Sequence, residues 1–166
     1  MRFLAKQIFV EPRHGLLRHS VVAALIAFLG AALMVTAFYG IACALGNPPD
    51  PNAAPEVPIT AFQFFAMVVF APVVGTILLA FTITALATFL RSKLWISVFA
   101  ALVFGGAHSL TSRFWFFAAV WPFFIFSCCY LIWRARSLTH ALAAAAIPHA
   151  LINISVFVVA ALSASA

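Results

Sequence analysis

The sequence predicts an all-α protein: a polytopic transmembrane helix bundle of about five spans. Two observations carry the prediction. The 166-residue chain is 66% hydrophobic and only 7% charged, with a mean hydropathy of +1.17, whereas a soluble domain is roughly 25% charged. Its few charges also sit at the ends of long apolar runs. Lipid-facing positions can be as apolar as core positions, so a bilayer accommodates this composition and water does not.

Residues 1–19 carry Phe3, Leu4, Ile8, Phe9 and Val10 among Arg2, Lys6, Arg13 and Arg18. This pattern fits a basic amphipathic segment lying on the cytoplasmic membrane surface. The remainder, 20–166, is read as the bundle.

A span needs about 20 apolar residues, and the first run, 20–46, meets this. It is too long for the ~7–15-residue core of a signal peptide and is taken as a retained helix. A Pro-rich stretch from Asn47 to Pro58 follows, holding Asp50 and Glu56, and reads as an exposed outer loop. The second run, 59–90, contains Pro72, so a kink or break is expected near Ala71, making one helix or two. The third run covers 94–109 and the fourth, dense in aromatics, 114–133. The fifth covers 138–162, and its alanine run at 143–146 offers a close-packing surface.

Arg2, Lys6, Arg13 and Arg18 precede the first span. Arg91 and Lys93 follow the second, and Arg134 and Arg136 the fourth; only Arg113 falls on the other side. Positive-inside asymmetry then gives a cytoplasmic N-terminus and an outside C-terminus, as in a bacterial inner-membrane protein. Trp95, Trp115 and Trp133 lie near span ends, where interfacial anchors belong. The net charge of +6 forms no continuous basic face, which argues against nucleic acid as a partner. Cys43, Cys128 and Cys129 match no zinc, haem or redox spacing and are read as packing residues, with no disulfide.

Ionisable side chains within spans are costly, which makes them functional candidates. His108 lies near the end of span three and His149 near the middle of span five. His149 and Asn153, spaced i and i+4, share a helix face. They could serve one site, or act as hydrogen-bonding glue between helices. His140 falls on the opposite face near the cytoplasmic end and is left out. Gly105 and Gly106 allow another helix to approach His108. Counted from the cytoplasmic ends, His108 is about 15 residues deep and His149 about 11, a mismatch of several ångströms at 1.5 Å per residue. Tilt must remove it if the two are to meet.

Two motifs here, FxxxH from Phe104 to His108 and HxxxN from His149 to Asn153, stand about forty residues apart on two late apolar helices. In order and placement they resemble the CPBP family, the CAAX proteases and bacteriocin-processing intramembrane proteases also called the Abi family. The resemblance covers roughly residues 71–156. It implies a CPBP-like core and a site of His108, His149 and Asn153 holding a water and an oxyanion, with Phe104 packing beneath. It implies as partner a membrane-embedded or lipidated peptide, or a partner protein, besides the lipid bilayer.

The family's earlier EExxxR motif follows an Ala-Pro, present here as Ala71 and Pro72. From that anchor the two glutamate positions fall on Gly75 and Thr76, and the arginine position on Ala80. Ser137 and Leu138 also precede His149 by more than the family's usual two turns.

In the family the first glutamate is thought to be the general base, which must lie within hydrogen-bond reach of its water. The chain's three acids, Glu11, Asp50 and Glu56, are poorly placed to substitute: Glu56 precedes Gly75 by nineteen residues, about 30 Å along a helix. No metal is expected from two neutral histidines and an amide, and no cofactor signature is present. Three readings stay open. One is a CPBP-like protein with a degenerate site and a binding, scaffold or immunity-type role. Another is an active intramembrane endopeptidase using His108 as base. The third is a small structural subunit of a membrane complex.

Overall fold

The computed structural model describes residues 15–48 and 57–165. The surface segment expected at 1–19 and the acidic outer loop therefore lie largely outside the described residues, as do Glu11, Asp50 and Glu56. The described chain forms five helices: α1 (Leu16–Ala44), α2 (Ala61–Ala87), α3 (Lys93–Ser109), α4 (Arg113–Trp133) and α5 (Leu138–Ala164). No strand occurs among the described residues.

Four of the helices, α1, α2, α4 and α5, are long and apolar enough to cross a membrane, at 29, 27, 21 and 27 residues. The expected third span is a 17-residue helix, about 25 Å long and at the lower bound for crossing. Helix α1 begins at Leu16, so His19 belongs to the bundle and is buried.

Local chemistry explains the boundaries. Thr60 caps α2 by accepting from the Gln63 N–H at 3.1 Å, and Ser137 caps α5 by accepting from the His140 N–H at 3.1 Å. The connections at 110–112 and 134–137 are short, so α3, α4 and α5 run up and down beside one another.

Helix α4 is the axis, packed by α1, α3 and α5, with more than half of its span buried. Its large rings Phe123 and Phe126 are buried with Ile125 and Ile132. Facing helices answer with small residues: Ala23 and Ala27 on α1, Ala100 and Ala101 on α3, Ala141, Ala144 and Ala145 on α5. Gly105 belongs to this set, because a Cβ there would sit 3.1 Å from Val120 and 3.3 Å from Phe116 on α4; Gly106 faces open space. Large apolar side chains left exposed, such as Leu29, Leu33, Phe62 and Phe81, suit contact with lipid.

The tryptophans depart from the anchor reading. Trp95 is exposed, but Trp133 is only 1% exposed. Its indole N–H donates to His19 Nδ1 at 2.9 Å. His140 stacks on it at 5.9 Å between centroids, and the Arg136 guanidinium lies 4.6 Å from the ring centre. A buried acceptor on α1, the stacked His140 ring and the Arg136 guanidinium draw this indole inward. Trp121, on the opposite half of α4, rests on Gly30 and donates to the Ile26 carbonyl at 3.0 Å.

A Cβ at Gly30 would collide with the Trp121 indole, which is rigid and hydrogen-bonded. Gly30→Ala should therefore destabilise the bundle by about 1–3 kcal/mol through overpacking. Gly106→Ala meets nothing within 4 Å and should be neutral or stabilising by up to ~1 kcal/mol. Thermal unfolding of the two variants in detergent compares them; equal midpoints would sink the assignment.

Candidate functional site

The site begins with a proline. Pro72 has no N–H, yet α2 runs through it without a break, through a π-helical turn at Ala66–Phe70. In that turn the Ala71 N–H bonds to the Ala66 carbonyl. The Met67 carbonyl thereby loses its α-helical partner, and its π-helical partner is Pro72, which has nothing to donate. Asn153 of α5 fills the vacancy, its Nδ2 donating to Met67 O at 2.6 Å. The expected kink or break is thus a widened turn in one continuous helix, closed by a side chain from another.

One turn before Asn153, His149 stacks on Phe126 at 5.1 Å and meets Phe123 edge-on at 5.5 Å. His108, at the end of α3, lies against the same Phe123 ring at 5.2 Å. Its Nδ1 is 2.7 Å from the Phe104 carbonyl. A carbonyl only accepts, so Nδ1 donates, and in the neutral tautomer this bond selects, Nε2 is the acceptor. Phe104 stacks on Phe123 at 4.4 Å, so FxxxH both packs and orients His108. His149 makes no hydrogen bond among the described residues. Gly75 lies at its edge: a Cβ there would be 3.2 Å from His149 Cε1 and 3.6 Å from Nδ1.

His108, His149 and Asn153 line one cavity of about 360 Å³, with Phe28 and Val35 of α1, Met67 of α2, and Trp115, Phe123 and Phe126 of α4. The depth mismatch counted along the helices is therefore overcome. His140 does not join them; it bonds to Ser137 at 2.8 Å and stacks on Trp133 at the other end of α5. The described lining contains no acid, and no group of three metal-ligating side chains occurs among the described residues. Two imidazoles can hold a hydroxyl or water by donating and accepting, and no carboxylate stands beside them among the described residues.

Sequence reasoning missed the Met67 carbonyl, the Phe123–Phe126 aromatic seat, and Trp115, whose indole N–H is buried without an acceptor in the wall. A usable signal for the first was present. A proline deep in an apolar run frees a carbonyl, and an asparagine on another span is a natural donor for it.

Asn153→Ala should cost about 1–3 kcal/mol by leaving a partly buried carbonyl unsatisfied. In a Pro72→Ala background the restored N–H offers Met67 a partner, so the same substitution should cost markedly less. A double-mutant cycle read by unfolding in detergent measures the coupling; strict additivity would show that the two residues do not share this carbonyl. No protein-family model matches the chain, and neither a curated protein nor a solved structure does.

Proposed function

We propose that this chain is a CPBP-like (CAAX protease-like) membrane protein whose intramembrane pocket binds its ligand and does not cleave it, in a scaffold or immunity-type role. The observation that carries the reading is Gly75. By the Ala-Pro anchor it holds the family's first glutamate position, and it lies against His149, where a carboxylate would serve a water held by the histidines. Glycine there leaves the histidine and asparagine motifs without a base. The orphaned imidazole of His149 and the cavity around it favour binding.

In this reading all five helices cross a bacterial inner membrane, with the N-terminus cytoplasmic and the C-terminus outside. Arg18, Arg91, Lys93, Arg134 and Arg136 then fall at cytoplasmic ends, and the contacts of His19 and Arg136 with Trp133 join the α1 start to the α4 end.

Purified protein in lipid nanodiscs should leave transmembrane and lipidated reporter peptides intact over hours. Cleavage that His149→Ala abolishes would overturn the binding reading in favour of an active endopeptidase. For topology, a phosphatase that is active only outside should be active when fused after Ser165 and inactive when fused after Arg136. Equal activity at both sites would remove α5 from the set of spans, and the reverse pattern would remove α3.

A further inference from the structure

The cavity's polar wall is unusual in sign as well as content. Its described lining includes no Lys, Arg, Asp or Glu, so a phosphate, carboxylate or ammonium would be desolvated there without a counter-charge from these residues. It nevertheless holds an acceptor, His108 Nε2, set by the Nδ1 bond to Phe104, and an imidazole, His149, with no hydrogen bond among the described residues. Both rings seat on Phe123, at 5.2 and 5.5 Å. A hydroxyl combines one hydrogen-bond donor and an acceptor on a single uncharged atom. Its proton can go to His108 Nε2 while its oxygen accepts from a ring N–H of His149. A carbonyl could satisfy only the second.

A ligand in the bilayer would enter between α1 and α2. Helix α1 packs on α4 and α5, and α2 on α5 and α3, while α1 and α2 scarcely touch. The cavity is lined from both, by Phe28 and Val35 on one side and Met67 on the other. Apart from the two histidines, Asn153 and the Trp115 indole, its lining is apolar and suits a hydrocarbon chain.

From this we infer that the cavity takes an uncharged, hydroxyl-bearing membrane amphiphile, its hydroxyl held between His108 and His149. The inference rests on the reading of the cavity as a binding site and names the class of ligand.

The test uses the full chain in detergent and three photoreactive probes with one acyl chain: a monoacylglycerol, the matching methyl ester and the matching fatty acid. The monoacylglycerol should label cavity-lining peptides saturably and in preference to both others. His149→Phe, which keeps an aromatic of similar size, should weaken labelling about tenfold, as for one lost hydrogen bond, and His149→Gln should recover much of it. Size-exclusion profiles identify any variant that fails to fold, and His149→Gln then decides alone. Equal labelling by the methyl ester means that hydrocarbon merely fills the space, and preference for the fatty acid means a charged head; either overturns the inference. Labelling of the cavity by an apolar peptide probe and not by the amphiphile overturns the ligand class and leaves the binding reading standing. Labelling by none of the probes removes both.

Discussion

Where water is absent, each backbone carbonyl must find its donor within the protein, and this requirement governs the bundle. Three prolines, Pro72, Pro122 and Pro148, test it, because each withholds an N–H inside a helix. At Pro72 the helix widens, and the leftover Met67 carbonyl is taken by Asn153. That bond ties α2 to α5 and holds Asn153 at the cavity, one turn from His149. A backbone debt on one helix thus becomes the positional constraint on the site.

Packing supplies the rest of the geometry. With no hydrophobic drive between helices in lipid, contact depends on close approach, and small residues permit it. Aromatic α4 lies against alanine faces of α1, α3 and α5, and Phe123 and Phe126 project to where α3 and α5 bring their histidines. The same aromatic surface organises the opposite end, where Trp133 is bonded to His19 and covered by His140 and Arg136. The two ends use their histidines differently. His19 is engaged by an indole donor and serves the fold; His149 is left with unmet hydrogen-bonding capacity in a cavity, the condition expected of a group awaiting a ligand.

Much of the fold was legible in the chain, because span length and charge placement answer to the bilayer alone, whatever the tertiary contacts. The long apolar helices follow from runs of about twenty residues or more, and the short α3 from a run that falls short of that length. The candidate residues were legible for a related reason: a histidine or asparagine within an apolar run is costly enough to stand out. What could not be read was their use. Spacing on α5 left Asn153 open between site and glue, and the structure gives it one definite bond to Met67 while it lines the cavity. The tryptophans were misjudged at Trp133 because sequence position locates a residue along a span and not around it.

By itself, then, the sequence determined the membrane character, the helical content, the approximate spans and the identity of the intramembrane polar residues, since each depends on composition over a local window. Tertiary structure decided that His108 and His149 share the Phe123 ring despite unequal depth, that Gly75 lies against His149, and that Pro72 widens a helix without breaking it. Those outcomes depend on how helices tilt and rotate against one another, which is set by side chains far apart in the chain and by no local pattern.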